Sequence, residues 1–448
     1  MKEALTWPYQ LALLACAALV GLNLLPGTPA VLLTGTVVAL AGLRLGPVPV
    51  LAATALLGLP FLRAAAQVIG VTPTVLVMAL DVVLLLLAMR SAPALLVRPE
   101  YRGVQRFLIW WLVFLLVYSA VSLLLEPSEY SIFTWQYLAV YGSYYALVGL
   151  LAVRQKVPLP ETMAVGLPLF AFNYWLLDTS FISVSAVADE RVGLRGTASF
   201  GAIESARIAG LVLLMALAVF LTDRRTLRRL PEIGMAIVLS APLAWYAYTR
   251  QVYVAGVLAA AWMVAALHRR IRGEGVGRRL TLIAIVCVGS MAVALLALEL
   301  LQSNPQSRIA QSGLQSDRWE LWKASLELLA SHPITGVGIE EARRNGIVSW
   351  PHNWFIESWL SMGLPGLILT AIGGGSVLAA LLRRWEPWLN GWLFLGLYFL
   401  LVAQVSADIA RNSVLFFFIV LAFHAMSSRP AADAVARLGS PRDSVQTA

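Results

Sequence analysis

Charge is scarce in this chain: Asp, Glu, Lys and Arg make up 13% of its 448 residues, against 59% apolar residues. Soluble domains carry about 25% charged and about 45–50% apolar residues. A water-soluble domain is therefore excluded, and a polytopic membrane protein is indicated, as the mean hydropathy of +0.78 also suggests. Cysteine is rarer still. Cys16 and Cys287 both lie inside apolar runs, so neither a disulfide framework nor a metal-ligand spacing can be read from them. Cys16 in "LLAC" resembles a lipoprotein cleavage site, but the apolar run continues past it, and residues 9–25 read as an uncleaved first span. There is no D-x-D pair, no H-E-x-x-H and no Cys/His cluster, so neither a metal nor another cofactor is expected. Walker and dinucleotide glycine patterns are missing as well, which argues against a soluble nucleotide donor. Internal repeats and low-complexity tracts are not evident.

What the chain has instead is a succession of apolar runs, at about 9–25, 30–43, 47–62, 71–89, 107–125, 135–153, 159–177, 206–222, 232–248, 251–267, 280–300, 355–382, 388–405 and 412–427. Several are near or below the roughly 17 residues that a span needs, which leaves room for half-helices and fused pairs. The expectation is an all-α polytopic membrane protein with about 12–14 transmembrane helices.

The net charge of +9 falls on alternate loops: Arg90 to Arg106, Arg154 and Lys156, Arg224 to Arg229, Arg269 to Arg279, then Arg383 and Arg384. By the positive-inside rule that side is cytoplasmic, and both termini join it. Nearly all of this charge reads as topogenic and lipid-facing, with no nucleic acid implied. The opposite face carries two loops long enough to hold structure, 178–205 and 301–354. The chain thus divides into transmembrane helices over 1–300 with the smaller periplasmic loop, the large loop at 301–354, further spans over 355–427, and a cytoplasmic tail at 428–448.

The large loop has internal pattern. In "DRWELWKASLELLASHP", Trp319, Trp322, Leu326 and Leu329 recur at helical spacing, Asp317 and Glu320 resemble a capping box, and His332-Pro333 ends the run. An amphipathic helix with two tryptophans on its apolar face would roof whatever lies beneath. After a "GVG" turn at 336–338, the chain re-enters the membrane at Pro351-His352-Asn353. Pro351 suits a first helical turn, which places His352 in the first turn of the following helix. There the positive end of the helix dipole disfavours imidazolium, and a neutral ring can accept a proton. On position alone an interfacial histidine, in an aromatic belt with Trp350, Trp354 and Trp359, fits as well.

Arginines also fall where they are costly. Arg250 lies in "WYAYTRQVYVAG" between apolar stretches, either facing a cavity or anion or snorkelling at a hairpin tip. Arg191 and Arg195 sit on the smaller outer loop, Arg318 opens the amphipathic helix, and Arg207 begins a span. Guanidinium forks match phosphate oxygens, so several on one face with a neutral histidine point to a phosphate-bearing lipid substrate.

These residues resemble the signature of O-antigen ligases and polymerases. "DRWELWKASLELLASHPITGVGIEEARR" followed by "WPHNWFIESWLSMGLPGLI" is similar to an Arg-and-Trp helix, a P-x-x-G-V-G turn and H-N-x-x-[LF]-x-x-x-x-x-x-G-x-x-G, the last part being His352, Asn353, Phe355, Gly363 and Gly366. "YTRQVYVAG" resembles the family's S-R-G helix start, placing Arg250 at its arginine, although Thr249-Arg250-Gln251 replaces Ser-Arg-Gly. "RVGLRGTASFG" resembles its R-x-x-G-x-F loop, placing Arg195 there. Glu204 stands near where an asparagine is common. The similarity covers about 190–370.

The resemblance implies an inner-membrane glycosyltransferase with a GT-C-like fold and a helical periplasmic loop. Its donor would be an undecaprenyl-diphosphate-linked glycan and its acceptor the lipid A–core oligosaccharide. In that reading His352 is the general base, and Arg195, Arg250, Arg191 and Arg318 hold the diphosphate. Asn353 and Trp319 support the site, and no metal takes part. A polymerase and a protein O-glycosyltransferase use the same donor. A lipid-linked glycan flippase is the rival outside the enzymes, "LLPGTP" and "GLPG" being candidate helix breaks.

Overall fold

The structure, a computed structural model, describes residues 7–25, 27–121, 129–176, 202–223, 226–246, 255–263, 318–338, 351–382, 388–404 and 412–427. Among them there is no strand. The helices in chain order are α1 (Trp7–Gly21), α2 (Gly27–Leu45), α3 (Pro47–Leu57), α4 (Leu59–Ile69), α5 (Pro73–Val97), α6 (Arg102–Tyr118), α7 (Glu129–Tyr137), α8 (Ser143–Gln155), α9 (Leu159–Leu176), α10 (Ala202–Thr222), α11 (Leu230–Tyr246), α12 (Arg318–Ser331), α13 (Trp354–Leu382), α14 (Leu389–Ala403) and α15 (Leu415–Ser427).

Six of the described helical runs are long and apolar enough to cross a membrane. The chain is an all-α, multi-pass membrane protein. Helices suit that setting because they satisfy their own backbone where no water can. The run at 47–62 is a bent pair: α3 and α4 meet at 91°. Pro60, at the start of α4, has no N–H with which to continue the ladder of α3. The apolar runs at 251–267 and 280–300 lie partly or wholly outside the described residues.

The core is built around α15, where no residue over 415–422 exceeds 1% exposure. A helix that is apolar on every side has to be surrounded, and α6, α8, α13 and α14 pack against it. Trp111 stands 4.2 Å from Phe416, ring centre to ring centre, and Trp392 stands 5.3 Å from Phe417. The polar tips of buried aromatics then cross-link the bundle. Trp110 Nε1 donates to Leu369 O at 2.9 Å, Trp392 Nε1 to Val157 O at 2.9 Å, and Tyr398 Oη to Arg207 O at 3.0 Å. Each bond satisfies a group that hydrocarbon could not.

α14 relates the two ends of the bundle. Near its start Trp392 is tied to Val157, in the turn beside Arg154 and Lys156; just past its end, Gln404 O accepts from Asn353 Nδ2 at 3.2 Å. The basic end also holds a buried ion-pair cluster. Arg229, with its side chain 6% exposed, reaches Glu161 at 2.6 Å, Glu232 at 3.3 Å and Asp223 at 3.5 Å. Arg229 therefore departs from the expectation that the basic residues of this side face lipid: it pins α9, α10 and α11 together. Desolvated charge is tolerated only when paired in this way.

Candidate functional site

The site begins at a break in a membrane helix. In sequence, α13 reads as one apolar run, but Gly363 has φ 67° and ψ −159°, a region essentially confined to glycine, and Pro365 follows. A break leaves backbone groups that need partners inside the protein. The turn after α12 supplies them. Val337 N and Gly338 N both donate to Leu360 O, at 3.0 and 2.9 Å, and Leu364 N donates to Ile334 O at 2.9 Å. Trp359 Nε1 adds a bond to Pro333 O at 2.7 Å. The fit is backbone against backbone. A Cβ on Gly336, itself at φ 72°, would stand 2.6 Å from Leu360 O and 2.7 Å from Gly363 N, and one on Gly363 would run into Ile334 O. The "GVG" turn and the kink of α13 are two halves of one joint.

His352 sits at the mouth of the first half of α13, and its placement corrects one expectation. The helix starts at Trp354, so His352 precedes the first turn instead of lying in it. Asn353 is the reason. Its Oδ1 accepts from Phe355 N at 3.0 Å and Ile356 N at 3.1 Å, while its carbonyl accepts from Glu357 N at 2.9 Å. That is an N-cap, and a capping asparagine defines the helix start more strongly than a proline two residues earlier. His352 then takes φ 52°, the left-handed region, at a cost of roughly 1–2 kcal/mol for a residue with a Cβ. Its neighbours are fixed on both sides. Pro351 O accepts Trp322 Nε1 at 2.7 Å, and Asn353 Nδ2 donates to Gln404 O at 3.2 Å. The half-buried ring stays next to the positive end of the helix dipole.

α12 forms where the sequence places it, but its buried face differs. Ser325 and Leu329 are buried, with Trp322 half-buried beside them, whereas Trp319 is 68% exposed and Leu326 47% exposed. Ser325 fits there because its hydroxyl donates to Leu321 O at 2.6 Å. A small self-satisfied serine is invisible to a search for apolar spacing. Trp322, and not Trp319, is the tryptophan that reaches the histidine segment.

Of the arginines expected to hold a diphosphate, Arg191, Arg195 and Arg250 lie outside the described residues, as does the side chain of Arg318, whose backbone opens α12. The structure adds a different one. Arg207, in the second turn of α10, is 4% exposed, donates through Nη2 to Asn412 Oδ1 at 2.7 Å and stands 5.8 Å over the Phe399 ring. Its carbonyl is tied to Tyr398, about 9 Å along α14 from the Gln404 that meets Asn353, taking 1.5 Å of rise per residue. Arg207 was named in the sequence as the start of a span, whereas Glu357, fully buried in the first turn of α13, is an ionisable group that the sequence reading did not single out. An arginine or acid inside an apolar run was the available signal. Among the described residues, no group of three or more His, Cys, Asp and Glu is placed to hold a metal.

The joint, the capped histidine and the tryptophan-bearing helix all fall inside one stretch, residues 197–371, that matches the O-antigen ligase family. That stretch, under half of the chain, is similar to an O-antigen ligase domain. It takes in Arg207, Arg250, Arg318, Trp322, His352, Asn353, Gly336, Gly363 and Gly366, and it starts just after Arg191 and Arg195. No curated protein matches the chain.

Proposed function

We propose that this protein transfers a glycan from undecaprenyl diphosphate to the lipid A–core oligosaccharide. It works at the periplasmic face of the bacterial inner membrane, with both termini cytoplasmic. The observation that carries the reading is His352, presented at a capped helix mouth with both adjoining peptides held. Its imidazole takes the proton from the acceptor sugar hydroxyl while that oxygen bonds to the anomeric carbon of the donor. The carbon–oxygen bond to the diphosphate breaks as the new bond forms, so the anomeric configuration inverts and undecaprenyl diphosphate leaves. Negative charge grows on that leaving group, where preorganised guanidinium groups lower the barrier most. Arg195, Arg250, Arg191 and Arg318 are assigned there, without a metal ion.

The ends of the bundle support this choice of membrane side. Trp392 and Gln404 lie twelve positions apart on or just past α14, about 18 Å at helical rise. The first is tied to the loop of Arg154 and Lys156, the second to Asn353. The positive-inside rule applied to the basic loops supports an outer position for His352.

The test is reconstitution. Full-length protein in vesicles, supplied with undecaprenyl-diphosphate-linked glycan and lipid A–core, should form glycosylated core without added divalent metal. Cells lacking the protein should accumulate long lipid-linked polymer with bare core. A core carrying a single repeat unit would instead identify a polymerase. Donor crossing the membrane without transfer would identify a flippase and overturn the enzyme reading.

A further inference from the structure

Resting on the reading of His352 as the base, we infer that Trp322 is a positioning residue that sets the backbone from which the imidazole is presented. The φ of His352 is a rotation measured against the peptide plane that joins it to Pro351. Trp322 Nε1 donates to the oxygen of that plane at 2.7 Å. Pro351 has its own φ fixed by its ring, so the plane has little freedom other than the tilt this bond removes. On the far side, the next residue is held by four hydrogen bonds. Asn353 Oδ1 takes Phe355 N and Ile356 N, its carbonyl takes Glu357 N, and its Nδ2 reaches Gln404 O.

His352 at φ 52° is the one residue between these two anchors, in a conformation that a residue with a Cβ leaves when released. Relaxation to the ordinary extended or helical region turns φ through more than about 100° and swings the ring off its line of approach. α12 cannot drift and take Trp322 with it. The turn that follows is locked into the α13 joint main chain to main chain, through Leu360 O and Ile334 O. α12 therefore does more than cover the site: it carries one hydrogen-bond donor to the peptide that decides where the base points.

Trp322→Phe removes the N–H and keeps an aromatic ring. In the reconstituted transfer assay kcat should fall about tenfold, the effect of roughly one net hydrogen bond. The donor KM should stay at its wild-type value, and the melting midpoint should fall no further than in Trp359→Phe. Trp359→Phe, which deletes an equal bond to the same turn away from His352, controls for general loosening and should retain kcat. If Trp322→Phe does not accumulate, β-(3-benzothienyl)alanine at position 322, the same shape without the N–H, is measured in its place. His352→Ala in the same assay separates the two readings. If it is inactive while the Trp322 variant keeps wild-type kcat, the positioning role is overturned and the base stands. If it retains wild-type activity, the base falls and this inference with it. Equal losses of kcat and midpoint in the Trp322 and Trp359 variants would mark Trp322 as structural packing only, which also overturns the inference.

Discussion

Adding one methyl group at Gly363 should cost more than most changes in the protein, and the reason is local. Gly363 holds φ 67° and ψ −159°, and forcing a residue with a Cβ there costs of order 1–3 kcal/mol. The added Cβ would also overlap Ile334 O and stand 2.5 Å from Thr335 C and 2.8 Å from Gly336 N. All three are main chain, so none can swing away as a side-chain tip would, and overpacking of this kind costs about 1–3 kcal/mol. The two contributions together put Gly363→Ala at about 2–5 kcal/mol, since the worst strain and the worst overlap relax jointly. Relaxation means parting the turn from the helix and breaking the bonds at Leu360 O and Ile334 O.

Gly375 gives the comparison inside the same helix. It has open space around its missing Cβ and no positive φ. There alanine should be neutral or stabilise by about 0.5–1 kcal/mol, the ordinary helix preference for alanine over glycine. The assay is unfolding of purified full-length protein in mixed micelles, read by tryptophan fluorescence against mole fraction of SDS and against temperature. Gly363→Ala should unfold at clearly lower temperature and denaturant than wild type, and Gly375→Ala at or above it. A Gly363→Ala midpoint matching that of Gly375→Ala would refute the joint, because it would show that the backbone there is not held as described.

His352→Ala should abolish attachment of polymer to core in cells while protein level and lipid-linked donor stay normal. A wild-type lipopolysaccharide ladder in cells carrying only that variant would remove the base assignment. Asn353→Ala should lower the free energy of unfolding by about 1 kcal/mol, the usual value of a cap. Asn353→Asp keeps the capping oxygen, loses the bond to Gln404 O and should be the milder of the two; the reverse order would sink the capping argument. Arg229→Met should destabilise by about 3–5 kcal/mol, because it strands Glu161 and Glu232 in a dry site. Adding Glu161→Gln should recover part of that loss, and strict additivity in the double variant would deny the network.

Hydrophobicity made the membrane class and most helix positions legible, since span length is fixed by the bilayer. It could not show that the chain turns through 91° between α3 and α4 or that α13 is broken, because a glycine and a proline inside an apolar run lower hydropathy very little. The helix at α12 was readable from its period, but its buried face was not. The choice among Trp319, Trp322, Ser325 and Leu326 depends on what α13 offers opposite, and a serine that bonds its own turn counts as apolar only after folding. His352 was readable as a chemical group, but its helix starts three residues later than Pro351 suggests. A proline suited to a first turn and a capping asparagine flank the histidine, and only the hydrogen bonds of Asn353 decide between them.

The family signature makes more physical sense as contacts than as a string. Its histidine and asparagine, the two glycines of the turn and the glycine of the membrane helix are separate words in sequence. In the fold the turn glycine meets the helix glycine through the main chain, and the asparagine caps the half-helix that the break creates. A half-helix of nine residues, from Trp354 to the break at Gly363, cannot hold its own orientation by length. It needs a cap at one end and a partner at the other. The cap is the residue after His352, and the partner is the turn that ends α12, the helix that brings Trp322 to the residue before His352. The same few elements that satisfy the broken backbone therefore fix the peptide on either side of His352. The chemistry of the loop and the glycines of the membrane helix are thus one structural requirement, which explains why they occur together in this chain.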